Sequence, residues 1–202
     1  MSKCFRLSAS QKQYIESIKT NGTLVGDEWA KKKNDMQMIS LKEDIRRKLR
    51  LIQKGDCAYC GNKYHATSED HIEHIAPKAS NRHPEFMFEE HNLVLSCQYC
   101  NGFIKKGTKN TVSSKSRLYK KCLFNIVHPY FDKPEDHYEY IDNSTKVLIA
   151  HKTPQGKASI KMFKLDEKQQ SVERAKDAIY KDYVLKPAEE RLVDLVGMYR
   201  LS

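Results

Sequence analysis

Long hydrophobic runs are missing from this chain of 202 residues. No segment approaches the ~20 consecutive apolar residues that a membrane-spanning helix requires. The opening Met1-Ser2-Lys3-Cys4-Phe5 also lacks the apolar run of a secretory signal peptide. We therefore expect no membrane segment and a cytoplasmic location, where thiols stay reduced. The 6 cysteines then indicate free thiols or metal ligands rather than disulfides.

Apolar residues in general are scarce, because hydrophobic residues make up 39% of the chain and charged residues 31%. A core built from so few apolar residues is modest, which makes a metal staple useful for folding. Lysine and arginine number 36 against 26 acidic residues, for a net charge of +10. Such an excess favours an anionic partner, nucleic acid first, since basic surface gains affinity from phosphates. A charge that serves only solubility is the alternative.

Four cysteines form two CxxC pairs, Cys57 with Cys60 and Cys97 with Cys100. Zn²⁺ prefers four sulfur or nitrogen ligands in tetrahedral geometry, and each pair offers two sulfurs from one turn of the chain. We expect the four thiolates to close a structural zinc site that ties the two segments together. A zinc ribbon that binds nucleic acid or protein without catalysis satisfies the same spacing, so the cysteines alone do not predict an enzyme.

The segment between the cysteine pairs contains Asp70-His71-Ile72-Glu73-His74-Ile75-Ala76-Pro77-Lys78, which is rich in acids and bases. Hydrolysis of a phosphodiester needs a base for the attacking water and positive charge at the phosphate. A histidine with a pKa near neutrality suits the base. A hard ion such as Mg²⁺ or Mn²⁺, held by carboxylate and amide oxygens, suits the charge. The string therefore predicts a nuclease site.

Glu73-His74-Ile75-Ala76-Pro77, then Asn92-Leu93, then Cys97-Gln98-Tyr99-Cys100-Asn101 resembles the zinc-tied HNH endonucleases, also called ββα-metal or His-Me finger nucleases. Asn92 follows His74 by 18 residues, and Asn101 follows Asn92 by 9. The resemblance implies that His74 is the general base and that Glu73 and Asn101 hold the divalent ion. Asn92 would brace the loop that holds the histidine. Lys105 or Lys106 would bind the substrate phosphate.

Two acidic-histidine pairs, Asp70-His71 and Glu73-His74, compete for the catalytic position. The Ile-x-Pro sequence after the second pair favours His74, because in the family the base immediately precedes it. Strand residues three apart face opposite sides, so both histidines cannot reach one site from regular β structure. We expect His71 to be a structural hydrogen-bonding partner. Asp70 stays a candidate for a second ligand of the divalent ion.

The resemblance extends beyond the central motif, over roughly residues 45 to 180. His128-Pro129-Tyr130-Phe131-Asp132 and His137-Tyr138-Glu139-Tyr140 are similar to the nuclease subunit of Septu-type anti-phage systems and to HNH effectors of some retrons. That likeness implies an ATPase of the ABC class as a protein partner. Nucleic acid would be the substrate, DNA before RNA. A free-standing restriction-like HNH enzyme is the alternative within the family.

The chain is expected to fold as an α+β protein in one compact unit. Residues 1–54 would form helices that pack on the core, residues 55–121 the zinc-bound ββα-metal core with a basic loop, and residues 122–202 a C-terminal extension of three strands and two helices. Leu41, Ile45, Leu49 and Ile52 recur on one helical face. Ser40-Leu41-Lys42-Glu43 predicts a capping box at the start of that helix, and Lys54-Gly55 predicts its end.

The basic loop and the C-terminal extension have their own sequence signals. Residues 102–121 carry seven basic residues and no acidic one, and we expect residues 108–116 to be a mobile loop. Polar residues at 142–144 predict a β-hairpin turn, and alternation over 159–163 predicts a third strand. Two helices follow, marked by the apolar residues Val172, Ala175, Ile179 and Tyr183 and by Leu192, Leu195, Val196 and Tyr199. The second of these stripes is a candidate docking face for the ATPase; the alternative is that this helix folds back onto the core of its own chain.

Overall fold

The computed structural model describes residues 4–31, 34–64, 69–141 and 146–183. Over these ranges it combines helices with two-stranded antiparallel sheets, the expected α+β class. The helices are α1 (Ala9–Ser17), α2 (Glu28–Lys31), α3 (Met36–Gln53), α4 (Gln98–Asn101), α5 (Pro134–His137), α6 (Pro154–Phe163) and α7 (Lys168–Tyr183). The strands are β1 (Asp70–His74), β2 (Leu93–Cys97), β3 (Val112–Ser114), β4 (Leu123–Phe124), β5 (Tyr138–Tyr140) and β6 (Ile149–His151). In the described part of the chain, no helix is both long and apolar enough to cross a membrane.

Helix α3 begins earlier than its sequence signal predicted. The Asp35 side chain accepts hydrogen bonds from the backbone N–H groups of Gln37 and Met38, so the predicted start at Ser40 is wrong. The helix ends as predicted, because Lys54 takes the left-handed conformation at φ 53°. The predicted apolar face is confirmed, since its first three residues are buried: Leu41, Ile45 and Leu49.

Strands β1 and β2 form the central hairpin and place α4 at its end. The pairing is antiparallel, with Asp70 opposite Cys97 and His74 opposite Leu93. All five residues of β2 are buried. Gln53, at the end of α3, donates from Nε2 to the Leu95 carbonyl at 2.9 Å and accepts the Leu95 N–H at 2.7 Å. This pair of hydrogen bonds satisfies β2 on its outer edge and fixes α3 against the hairpin.

The N-terminal segment packs on the same core. Phe5, Leu7, Tyr14 and Ile15 are buried in one apolar cluster with residues of α3 and β2. The Glu90 carboxylate accepts the backbone N–H of Leu7 at 2.8 Å, which fastens the segment to the loop before β2. The hairpin is therefore enclosed by the N-terminal segment as well as by α3.

Within its described residues, 122–141 and 146–183, the C-terminal extension contains β4, β5 and β6 but lacks the strand predicted over residues 159–163. Pairing of β5 with β6 confirms the hairpin, whose turn residues 142–145 lie outside the described part. The predicted third strand is wrong, because Ser159–Phe163 belongs to α6. Thr153 caps α6 by accepting the backbone N–H of Gly156, and Pro154 occupies its first turn. The residues that α6 buries recur with helical rather than alternating spacing: Gly156, Ser159, Ile160 and Phe163.

Part of the expected mobile loop is regular structure. Thr111 is buried and donates from its hydroxyl to the Ile75 carbonyl at 2.5 Å, and β3 pairs with β4 directly after it. Helix α7 confirms the helix predicted around Val172 and Ile179, although both side chains stay exposed. The apolar stripe predicted over residues 192–199 lies outside the described residues.

Candidate active site

The two cysteine pairs converge on one point. The sulfur atoms of Cys57, Cys60, Cys97 and Cys100 all lie within 4.8 Å of one another. Four sulfurs around a tetrahedral Zn²⁺ at ~2.3 Å would be about 3.8 Å apart, and the Cys60 and Cys97 sulfurs are separated by 3.9 Å. The cluster is therefore consistent with a zinc frame that ties the segment after α3 to the junction of β2 and α4.

Local backbone geometry builds each half of this cluster. The Gly61 N–H donates to the Cys57 carbonyl at 3.0 Å, and Gly61 has a φ of +74°, which closes the first turn. The second pair spans the last residue of β2 and the single turn of α4. The Cys97 N–H also points at the Cys57 sulfur at 3.4 Å, an interaction that favours the thiolate form needed by a metal.

His74 ends β1 and is held in one orientation. Its Nε2 lies 3.1 Å from the Met87 carbonyl oxygen. A carbonyl only accepts, so Nε2 carries the hydrogen and the lone pair lies on Nδ1. The Trp29 ring packs edge-on against the imidazole, with centroids 4.8 Å apart. Burial, followed by the charges of Lys78 and Lys106, holds the pKa of His74 well below its usual value. The imidazole is thus neutral at pH 7, the state that a general base requires.

Glu73 precedes His74 in the sequence and is also buried, but its side chain pairs with a lysine. The Lys106 ammonium forms an ion pair with Glu73 Oε1 and donates to the His74 carbonyl at 2.7 Å. Burial raises the pKa of the Glu73 carboxyl, and the Lys106 charge opposes that shift. Lys106 is fully buried. This geometry makes it an internal counter-ion of Glu73 and does not favour the phosphate-binding role predicted for it.

Asn92 holds both ends of the loop that follows β1. Its Nδ2 donates to the carbonyls of Ala76 at 3.1 Å and Phe86 at 2.8 Å, and its Oδ1 accepts the Ala76 N–H at 2.6 Å. The side chain is fully buried, so these bonds are shielded from water. Asn92 therefore braces the loop next to His74, in the position where the sequence predicted a brace.

Two residues that the sequence interpretation missed extend this brace. The Tyr119 hydroxyl donates to Asn92 Oδ1 at 2.9 Å and lies 2.9 Å from His128 Nε2. His128 Nδ1 accepts the Tyr130 N–H at 3.2 Å, so Nε2 carries the hydrogen and donates to Tyr119. A buried chain of hydrogen bonds thus runs from His128 through Tyr119 to Asn92. No spacing rule pointed to Tyr119, and His128 was noticed only as part of a family likeness.

Asp70 is engaged elsewhere. Its carboxylate accepts from Arg50 Nε at 2.5 Å and lies 3.4 Å from Arg46 Nε, and the residue is only 4% exposed. The two arginines are spaced one helical turn apart on α3. Asp70 therefore fixes α3 to β1, and this placement does not favour the predicted role as a second ligand of the divalent ion.

Asn101 and Lys105 follow the second cysteine pair. Asn101 is half-buried at the end of α4, directly after Cys100. Lys105 Nζ lies 4.2 Å from the centre of the Tyr99 ring and donates to its hydroxyl at 2.9 Å. Glu167 lies 3.5 Å from the same ammonium. Burial lowers the pKa of Lys105, and Glu167 opposes this shift. The ammonium is thus positioned on an aromatic face next to α4.

Comparisons with known proteins agree with this arrangement. Residues 57–107 match the family model described as HNH endonuclease, a stretch that contains both cysteine pairs and β1 to α4. Over 165 residues the chain is 27% identical to the Septu protein PtuB of Bacillus mycoides (strain KBAB4). That alignment covers 73% of this chain and 54% of the relative, so the chain spans about half the length of the curated relative. The resemblance to HNH endonucleases predicted from the sequence is confirmed for residues 57–107.

Proposed function

We propose that the chain, whose residues 57–107 match the HNH endonuclease family model, cleaves nucleic acid as the effector nuclease of an anti-phage defence system with an ATPase partner. The nuclease part rests above all on His74, a neutral, oriented imidazole on a hairpin closed by four cysteines. The defence part rests on the similarity to the Septu protein PtuB. DNA is the first substrate to test and RNA the second.

His74 would act through Nδ1, which takes the proton of the attacking water. Its Nε2–H stays bonded to the Met87 carbonyl, and Trp29 packs against the ring, so the imidazole does not have to reorient during the reaction. Asn92 keeps the loop after His74 in place. These contacts position the base before substrate arrives, which lowers the entropic part of the barrier.

Two kinds of metal fit the residues present. We assign structural Zn²⁺ to Cys57, Cys60, Cys97 and Cys100, because four clustered thiols leave no open position for catalysis. A catalytic Mg²⁺ or Mn²⁺ would use the Glu73 carboxylate and the Asn101 amide oxygen, a small oxygen set of the kind that these ions accept beside water and phosphate. When bound, that ion supplies positive charge to the scissile phosphate.

The protein partner would be an ATPase of the ABC class, as the family likeness implies. Residues 188–202 carry the apolar stripe proposed as its docking face and lie outside the described residues. Deleting them should abolish co-purification with the ATPase while leaving the zinc content unchanged. A zinc-loaded truncated chain that still binds the ATPase fully would remove this part of the proposal.

The central experiment compares cleavage of plasmid, single-stranded DNA and tRNA by the wild-type chain and by His74→Ala, with Mg²⁺ or Mn²⁺ and with or without the ATPase. A general base is worth about 10²–10⁴-fold, so His74→Ala should lose at least that factor while keeping its zinc and its unfolding temperature. His71→Ala is the matched control and should stay close to wild type. An inactive His71 variant beside an active His74 variant would contradict the assignment of the base.

A further inference from the structure

The segment after α4 exposes two large apolar side chains at its tip. Phe103 is 87% exposed and Ile104 is 78% exposed. Folding gains nothing from apolar surface left in water, and two such neighbours form a patch rather than an isolated exception. The patch begins two residues after Asn101, the candidate ligand of the catalytic ion. Its position at the site calls for a functional explanation.

The tip is anchored from both sides, so it is a defined part of the site. The Lys106 N–H donates to the Cys100 carbonyl at 3.3 Å, and the Lys106 side chain is buried against Glu73. Gly107 has a φ of +44°, and a Cβ there would lie 3.1 Å from the Phe103 Cα. The turn is therefore closed tightly around the tip. Lys106 is buried, whereas its neighbours Phe103 and Ile104 are exposed to solvent.

Positive charge lies next to this apolar pair. Lys109 is exposed, and its Nζ donates to the Ile104 carbonyl at 2.8 Å, whereas Lys105 is buried on the Tyr99 ring and pairs with Glu167. Residues 102–121 contain seven basic residues and no acidic one. A partner that matches this surface has apolar faces between closely spaced negative charges. Nucleic acid with unstacked bases has this pattern, since its bases are flat and apolar and its phosphates lie beside them.

We propose that Phe103 and Ile104 contact unstacked nucleobases of the substrate while Lys109 holds a flanking phosphate. This inference rests on the proposed nuclease function and specifies its substrate class. Apolar side chains inserted at base steps and aromatic rings stacked on bases are established modes of binding. A substrate with exposed bases, such as a single strand, a loop or a distorted duplex, is then bound more tightly than an intact duplex.

The direct test places a fluorophore on the tip. The chain has 1 tryptophan, Trp29, which is packed against His74. In zinc-loaded, full-length His74→Ala protein, the indole introduced by Phe103→Trp should be quenched when a single-stranded DNA oligonucleotide is added, because base stacking quenches indole emission. Leu51→Trp, at a position on α3 that is 71% exposed, is the matched control and should not respond beyond the signal of the parent protein.

Affinity gives the second readout. Stacking on an aromatic side chain is worth ~1–3 kcal/mol per base, or about 5- to 150-fold in affinity, so Phe103→Ala should weaken single-strand binding at least about 5-fold. Leu51→Ala should not weaken it. Unchanged affinity, an indole at the tip that is not quenched, or binding lost only toward the ATPase would overturn the inference and assign the patch to another surface.

These outcomes separate the inference from the proposed function. A chain that cleaves nucleic acid while the indole at its tip stays unquenched remains a nuclease without this contact. A chain that binds single strands through the tip but never cleaves, with or without the ATPase, contradicts the nuclease proposal and leaves the binding surface standing. A chain that binds no nucleic acid at all overturns the inference.

Discussion

Removing the Tyr119 hydroxyl tests whether the brace behind His74 contributes stability and activity. Tyr119→Phe deletes one oxygen, which donates to Asn92 Oδ1 and accepts from His128 Nε2. The ring itself stays, and its contacts with Phe86 and Phe124 at centroid distances of 5.0 and 5.4 Å are retained. The substitution therefore leaves almost no cavity, and its effect reports on hydrogen bonds alone.

The magnitude follows from what each partner loses. The donated bond to Asn92 is worth about 1 kcal/mol, and leaving the buried His128 N–H without a partner costs ~1–3 kcal/mol. The loss of unfolding free energy should therefore be about 3 kcal/mol. For a chain of this size that corresponds to a fall in melting temperature of about 6–12 °C. Because Asn92 holds the loop after His74, kcat should fall with little change in KM.

Thermal unfolding of the zinc-loaded chain, followed by circular dichroism, measures the effect. Tyr130→Phe is the matched control, because it removes a half-buried hydroxyl that donates to the Leu93 carbonyl at 2.7 Å without touching Asn92. His128→Leu in the Tyr119→Phe background should recover part of the loss, because it removes the orphaned donor. A Tyr119→Phe protein no less stable than Tyr130→Phe would refute the reasoning.

Three further predictions concern pH, zinc and the carboxylates. Burial lowers the pKa of His128 to about 3, whereas a histidine in the unfolded chain has a pKa near 6.5. The contribution of His128 to the free energy of unfolding is therefore complete above about pH 6.5 and falls as the pH drops toward 3, by about 2 kcal/mol at pH 5. Denaturant unfolding of His128→Gln should lack this pH-dependent loss. Cys97→Ala should unfold the chain and abolish its zinc, which we expect at close to one ion per wild-type chain; a zinc-free preparation with unchanged melting temperature would contradict the structural role. Glu73→Gln should raise the Mg²⁺ concentration needed for cleavage. Asp70→Asn should lower the melting temperature, because it breaks the contact with α3, and should leave the Mg²⁺ requirement unchanged. The same Mg²⁺ requirement in both variants would argue against the assignment of Glu73 as a ligand.

Much of the fold could be predicted from local patterns in the sequence. The face of α3 could be predicted because three buried positions recur at helical spacing over a long window, and the cysteine cluster because ligand spacing reflects metal geometry. The sequence predicted a strand over residues 159–163, inside α6, because an alternation of only five residues fits the helical period as well as the strand period. The N-cap residue Thr153 and Pro154 in the first turn are the sequence features that favour a helix here.

Partners distant in sequence were harder to predict. Lys106 meets Glu73 across 33 residues, and Tyr119 reaches Asn92 across 27. Neither contact follows from any local period, because both arise where the segment after α4 crosses the hairpin. A lysine in a basic segment predicts surface charge, and only the packed structure shows that this one is buried.

Because Glu73 is paired with the buried Lys106, folding of the chain should not depend on the catalytic divalent ion. A carboxylate enclosed at this depth would destabilise the fold if it had no cationic partner, and the Lys106 ammonium is such a partner within the chain itself. The two metals therefore differ in what their removal does. Mild chelation should give a folded but inactive chain whose cleavage activity returns as soon as Mg²⁺ is added. Extraction of zinc should instead give an unfolded chain that has to refold before it can cleave.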